Sequence, residues 1–370
     1  MIGSVLIFLL VLSVLVIVHE LGHFIVARKM GVMVEEFGFG LPPRLLGVNI
    51  KGTLYSLNLL PFGGFVRLHG EDPSEKPEHP RKSFLGKSKK VRFAIVIAGV
   101  VMNFLLAILA FAVVSSFSGI PRETKNVSVV NVATGSPAQI AGLLVGDVVR
   151  SVNKVKVTSN KEFIDLIDQT KGKKVALEIE RNIGGSKITK KFTLTPRINP
   201  PADEGPLGVV ITATEIYFPP LFLRPFYGIY YGFKEAVFWG KNVILGFAAI
   251  FADLFKGRLP KDVAGPVGIY AIASEAAKVG IFALINFLGI LSVNLAILNI
   301  LPFPALDGGR LLFISIEKII GKKVLPKVEA AVHTVGMIIL LVLLLAITAH
   351  DIIRLISAGG ISGFLQGVIK

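Results

Sequence analysis

Four apolar runs, each of membrane-crossing length, bracket a polar middle, and this pattern restricts the fold more than any other feature of the chain. The runs cover residues 3–27, 93–117, 281–301 and 332–349. A helix rises 1.5 Å per residue, so about 20 apolar residues cross the roughly 30 Å of bilayer hydrocarbon. Only 18% of residues are charged and 52% are hydrophobic, against about 25% charged in an ordinary soluble domain. The expected fold is a polytopic α-helical membrane protein of about four transmembrane helices, with an aqueous domain inserted between the second and third. The first run has neither a basic start nor a small-residue cleavage site, and it continues into His19 and Glu20. It reads as a retained span rather than a signal peptide.

Charge sets the expected topology. Arg28 and Lys29 close the first span, and Lys318, Lys322, Lys323 and Lys327 precede the fourth. Both regions are therefore expected in the cytoplasm, with the inserted domain and both termini on the outer side. The net charge of +15 fits basic flanks against anionic lipid. No base-reading motif accompanies it, so no nucleic acid is expected as a partner. The expected location is a membrane whose cytoplasmic face meets the basic flanks, with the lipid bilayer itself as a partner.

Between the spans, residues 53–60 and 64–68 alternate and are rich in strand formers. Pro61-Phe62-Gly63-Gly64 separates them as a turn would, which predicts a β-hairpin. Residues 121–196 carry strand-like runs and Gly-rich turns, enough for one small domain. Residues 221–256 are aromatic and apolar but interrupted by Lys234, Glu235, Lys241 and Asp253. They are expected to form an amphipathic helix on the membrane surface. The expected divisions are thus 1–118, 119–200, 201–280 and 281–370, with Asp351 and Arg354 in a solvated end.

The chemistry is concentrated in His19-Glu20-Leu21-Gly22-His23. Histidines at i and i+4 share one helix face, so both imidazoles can reach one Zn²⁺. Glu20 would then lie beside the open coordination position and act as a general base towards water. Short matches of this kind arise by chance in soluble helices. Here three ionisable groups lie inside an apolar helix, where each is costly, and a satisfied histidine pair would leave Glu20 unexplained. With no cysteine in the chain, any further ligand must be His, Asp or Glu. Glu35 and Glu36 are possible ligands, or else a solvated interfacial pair. Asp307 lies in Asn299-Ile300-Leu301-Pro302-Phe303-Pro304-Ala305-Leu306-Asp307-Gly308-Gly309, where prolines and glycines break the helix at membrane depth. On spacing alone it is equally a ligand or the cap of the following helix.

The HExxH of the first span and the NxxPxPxLDGG of the third together resemble the site-2 protease family of intramembrane zinc proteases, in its bacterial RseP-type branch. The resemblance implies His19, His23 and Asp307 as zinc ligands and Glu20 as general base. It places Asn294 and Asn299 in the substrate cleft, where interhelical hydrogen bonding is the plainer role for Asn. Phe37-Gly38-Phe39-Gly40 resembles the family's Gly-rich loop, and the hairpin over residues 54–68 its membrane-associated β-element. Gly38, Gly40, Leu57 and Asn58 are accordingly expected to bind substrate, an open strand edge receiving it by strand addition. Ala98-Gly99 through Met102-Asn103-Phe104 is similar to the family's second-span motif, with Val in place of the usual Pro.

Gly135-Ser136-Pro137-Ala138, Ala141-Gly142-Leu143, Gly146-Asp147 and Val152-Asn153 resemble a bacterial PDZ domain of α+β type, which implies either peptide binding or size filtering on the outer side. The function implied is endoproteolysis of single-pass membrane proteins, such as anti-sigma factors or remnant signal peptides, after an upstream site-1 protease has trimmed them. The competing readings are an HExxH membrane peptidase of another class and a non-enzymatic membrane PDZ scaffold.

Overall fold

The structure, a computed structural model, describes residues 2–72, 77–201, 203–256, 264–322 and 324–360, together with residue 363. Lys323, expected among the basic residues before the last span, lies outside them. The chain forms two compact units, Gly119–Pro220 and the remainder, Met1–Ser118 with Leu221–Lys370.

In the larger unit α1 (Ile2–Lys29) leads into β1 (Val34–Ile50) and β2 (Thr53–Leu68), and α2 (Lys89–Ser118) follows. Among the described residues, four helices are long and apolar enough to cross a membrane: Gly3–Lys29, Lys89–Ser118, Ile281–Ile300 and Lys327–Ser357. They coincide with the four runs read from the sequence. Gly22 of α1 lies so close to the Ala98 carbonyl of α2 that a Cβ would meet it at 2.4 Å. Small residues at such crossings let helix backbones approach, which is how packing is gained where lipid removes the hydrophobic drive.

The β-element corrects the predicted hairpin. Residues 53–60 and 64–68 do not pair with each other; each pairs with residues 36–39, on opposite sides. Residues 44–50 add a fourth row by pairing with 53–58. The tight turn is at Lys51-Gly52, with φ of +52° and +82°. Asn49 Oδ1 accepts the Gly52 N–H there at 3.2 Å. Two successive positive φ values are those of a type I′ hairpin turn, and Lys at the first position hides that signature. Leu45, Leu46, Val48, Ile50 and Leu59 are all more than half exposed on this arm.

The smaller unit carries β3 (Ile120–Val132), α3 (Pro137–Ala141), β4 (Val148–Val152), β5 (Val155–Lys156), α4 (Asn160–Asp168), β6 (Val175–Ile183), β7 (Ser186–Leu194) and β8 (Val209–Tyr217). The sheet is antiparallel in the order β7-β6-β4-β3-β8, with β5 beside β4. Its last strand lies beyond the expected boundary at residue 200, because β8 completes the sheet by pairing with β3. Ser136 and Ser159 cap α3 and α4 by accepting from the N–H of Gln139 and Glu162. The alternating inward residues Val127, Val129, Leu177 and Ile179 meet Val149 and Phe163 in the core.

One buried ion pair holds this unit's turns. Asp147, 1% exposed, accepts from Arg181 Nε at 2.6 Å and Nη2 at 2.7 Å, and from the Leu144 N–H at 2.9 Å. Hydrogen bonding to Asp147, helped by its opposing charge, raises the Arg181 pKa above its usual value. Asp147→Ala strands a nearly buried guanidinium and is expected to destabilise this unit by about 3–5 kcal/mol. Hydrogen exchange across residues 119–220 of the full chain measures it; protection unchanged to within tenfold would contradict the expectation.

After the insert come α5 (Arg224–Phe255), α6 (Pro266–Val279), α7 (Ile281–Ile300), α8 (Asp307–Ile320) and α9 (Pro326–Ser357). The expected surface helix is corrected. Gly228 lies against Ser116 and Ala112 of α2, and Gly232 against Ile108 and Ala112. Ala236 is buried with Ala107 and Phe111. Small residues repeating every four positions let this half of α5 run antiparallel along a spanning helix, which a helix lying flat on the surface cannot do. Asp351, expected in a solvated end, is fully buried and accepts from the N–H of Gly268 in the first turn of α6 at 2.8 Å. A carboxylate at a helix N-terminus satisfies orphan donors and complements the dipole.

Candidate metal centre

The three groups singled out on α1 and α8 converge. Asp307 Oδ2 lies 3.0 Å from His19 Nε2 and 3.2 Å from His23 Nε2. The two Nε2 atoms are 3.1 Å apart. These histidines are one helical turn apart on α1, so their rings stack along one face. They meet edge to face, with centroids 4.7 Å apart. Asp307 comes from the first turn of α8, after the chain breaks at Pro302 and Pro304. Gly308 follows it where a Cβ would fall 1.9 Å from the Leu301 carbonyl oxygen. Only glycine lets the chain fold back tightly enough to aim Asp307 at α1. Asp307 does not cap its own helix: the N-cap is Leu306.

The donor chemistry fits a cation. His23 Nδ1 lies 2.8 Å from the Ile95 carbonyl, so Nδ1 carries the proton and Nε2 presents a lone pair. Asp307 Oδ2 is buried and has no donor of its own. Lone pairs crowded this closely repel one another unless a positive ion lies between them. Tetrahedral zinc with ligands at about 2.0–2.1 Å spaces its ligand atoms about 3.3 Å apart, close to the distances found. Among the described residues, this is the one cluster of His, Asp or Glu positioned to hold a metal ion.

Packing closes the site from behind. A Cβ on Gly99 of α2 would lie 2.5 Å from His23 Nε2 and 2.6 Å from His19 Cε1. Asn103, fully buried one turn on, places its amide 3.4 Å from His19 Nδ1. Its backbone carbonyl accepts from Ser292 of α7 at 2.7 Å. Glu20 reaches the sheet, its Oε2 accepting from the Val66 N–H at 3.0 Å. Residues 64–68 are thus the strand edge facing the HExxH helix.

The other expected site residues lie on β1, β2 and α7. Gly38 and Gly40 sit where side chains would strike the Phe65 ring and the Leu60 carbonyl. Asn58 is buried and donates to the carbonyls of Phe39 and Gly40. Leu57, in the doubly paired row 53–58, is 43% exposed. The contacts of these four knit the sheet. Asn294 donates to Ile290 of its own helix, and Asn299 is half-buried in the last turn of α7. Glu35 and Glu36 form neither ligands nor a solvated pair: Glu35 meets His69 at 2.7 Å, and buried Glu36 meets Arg67 at 3.0 Å. The sequence reading missed Val66 and, though it noted Gly99 in the second-span motif, not its contact with both histidine rings, since both roles arise only by apposition across the fold. The second-span motif had pointed towards Asn103.

The model of Peptidase family M50 matches residues 7–343. The chain belongs to peptidase family M50, the site-2 proteases. Zinc metalloprotease RasP of Shouchella clausii is 30% identical over 96% of this chain and 100% of its own length. A Clostridium perfringens protein whose name places it among zinc metalloproteases is 37% identical over 93% of this chain and 97% of its own. Another from Clostridium acetobutylicum is 33% identical over 95% and 97%. As an M50 member with four helices of spanning length among the described residues, the chain is a membrane-integral zinc metalloprotease that hydrolyses peptide bonds.

In M50 terms, Asn103 is a candidate for orienting the first histidine. Its buried Oδ1 has no partner of its own. Turned towards the ring, it would accept Nδ1–H of His19 and leave Nε2 with a lone pair free for a metal ion. Asn103→Ala is expected to weaken zinc binding by roughly 10–100-fold, as losses of such outer partners do. Chelator competition on the purified protein checks this; unchanged affinity would remove Asn103 from the site.

Proposed function

We propose that the chain is an intramembrane endopeptidase in which His19, His23 and Asp307 hold zinc and Glu20 is the general base. The observation that carries this is the 3.0–3.2 Å triangle of ligand atoms built from helices α1 and α8. Zinc, when bound, supplies Lewis-acid activation of water and of the scissile carbonyl. Glu20 takes the proton of the attacking water on its carboxylate and passes it to the leaving amine. Val66 N–H holds one carboxylate oxygen and so orients the other.

The substrate is a transmembrane segment of a single-pass membrane protein. A helix hides its peptide bonds in i→i−4 hydrogen bonds, so it must unwind before it is cut. The edge formed by residues 64–68 offers a strand partner beside Glu20. This refines the assignment to Leu57 and Asn58, whose row is paired on both sides. Asn294 and Asn299 line the approach on α7. The exposed Leu45, Leu46, Val48 and Ile50 dip the sheet's other arm into lipid.

Residues 119–220 are a PDZ domain on the outer side of a bacterial cytoplasmic membrane, and the basic loops face the cytoplasm. There the PDZ domain admits substrates whose outer parts a site-1 protease has already removed. Topology is directly testable because the chain contains no cysteine. A cysteine at exposed Lys191 is expected to react with an impermeant maleimide on intact cells, and one at exposed Lys322 only after permeabilisation. The reverse pattern would overturn the orientation.

The test of function is cleavage of a single-span model substrate in proteoliposomes, with cut sites read by mass spectrometry. Cuts within the span, faster when a helix-breaking residue is placed there, are expected. Cuts confined to the aqueous flanks would replace this reading with that of a membrane-anchored peptidase acting in water.

A further inference from the structure

The last helix touches the loop that delivers Asp307, and one side chain makes the link. The Nδ1 of His333 on α9 lies 2.9 Å from the backbone N of Ala305 and accepts its hydrogen. Ala305 has φ of +75°, left-handed backbone that alanine rarely adopts because its Cβ crowds the following carbonyl. Such a residue persists where its surroundings over-determine it. Three contacts do so here. Pro304 lies where a Cβ on Gly336, one turn after His333, would meet it at 2.3 Å. A Cβ on Gly309 would meet the Phe303 carbonyl at 2.6 Å and His333 Cε1 at 3.2 Å. The His333 ring itself packs against Phe313 of α8, with centroids 5.6 Å apart.

We infer that His333 is a positioning residue of the proteolytic centre, fixing the strained 304–306 turn through the Ala305 N–H so that Asp307 meets the histidines of α1. The inference rests on the assignment of Asp307 as a zinc ligand. Because Nδ1 accepts, the ring is neutral and carries its proton on Nε2. Nε2 is buried without a partner of its own, beside a cavity of about 130 Å³ lined by Glu71, Arg92, Arg310 and Glu329. Nδ1, by contrast, serves the loop. Loss of Nδ1 alone leaves a half-buried backbone N–H without its acceptor, in a turn that already stores strain.

The experiment compares His333→Asn, His333→Gln and His333→Leu in the full-length protein, with Asp307→Asn as reference. Asn places a polar atom near the position of Nδ1, and Gln places one near Nε2. Zinc affinity is read by chelator competition, and kcat and KM with a single-span substrate. Gln and Leu are expected to lose roughly 10–100-fold in zinc affinity and in kcat with KM little changed, and Asn to stay within about threefold of the parent. Thermal unfolding of all the variants identifies a folding defect; if Leu fails to fold, the contrast between Asn and Gln decides alone. Gln retaining parental zinc affinity and kcat, or Asn falling as far as Gln, overturns the inference. Asp307→Asn binding zinc as the parent does would instead overturn the ligand assignment beneath it.

Discussion

Glu20→Gln is expected to abolish cleavage of a single-span substrate while leaving zinc in place. The amide keeps the shape of the side chain and cannot take a proton from water. General acid–base groups contribute roughly 10²–10⁴-fold, and that is the expected fall in kcat. KM should change little, because the interaction lost belongs to the transition state rather than to substrate binding. The zinc content should be unaffected, since among the described residues the clustered ligand atoms come from His19, His23 and Asp307 and not from Glu20. Cleavage in proteoliposomes, with metal analysis of the same preparation, measures both quantities. A fall of less than tenfold would remove Glu20 as the base. A parallel loss of zinc would make it a ligand or a structural support instead.

Gly99→Ala is expected to be nearly as severe although it adds only a methyl group far along the sequence from the HExxH motif. The new Cβ would lie 2.5–2.7 Å from ring atoms of both histidines. Such a contact is tolerated only where the neighbour can swing away. His23 is held by the Ile95 carbonyl and His19 lies against the Asn103 amide, so neither ring is a flexible chain end. Either the rings leave their positions or α1 separates from α2, and the latter also breaks the close contact of Gly22 with Ala98. Zinc affinity should fall about 100-fold, at the upper end for displaced ligand geometry. Gly3→Ala, in the same kind of apolar helix but with open space around it, should bind zinc as the parent does. Chelator competition on the three proteins is the measurement. Normal zinc affinity in Gly99→Ala would show that the back wall is softer than the packing indicates.

The spans were legible because one physical requirement dominates them: backbone polar groups in lipid must be satisfied within the segment, so apolar length alone reports a helix. The histidine pair was legible for a similar reason. A spacing of four residues becomes a shared face whenever the local structure is helical, whatever the rest of the chain does. The β-element was read less well. Residues 53–60 and 64–68 have the alternation of paired strands, yet nothing local says that each prefers residues 36–39 to the other. The Lys51-Gly52 turn lacks the Asn or Asp that usually marks its type.

Helix α5 shows the same limit from the other side. Its charged residues suggest a surface helix, while the stripe of Gly228, Gly232 and Ala236 has meaning only against the matching face of α2. Asp351 reads as a polar residue near a chain end and becomes buried because the N-terminus of α6 needs an acceptor. What the sequence by itself determined was therefore whatever depends on local periodicity and transfer free energy: the four spans, the shared face of His19 and His23, and the break before Asp307. What only the tertiary structure decided was apposition: Asp307 meeting α1, Gly99 backing the rings, Val66 holding Glu20 and His333 bracing the loop. Each of these depends on which helix face meets which. In lipid that choice is made by close packing and hydrogen bonding between distant segments, which no local pattern records.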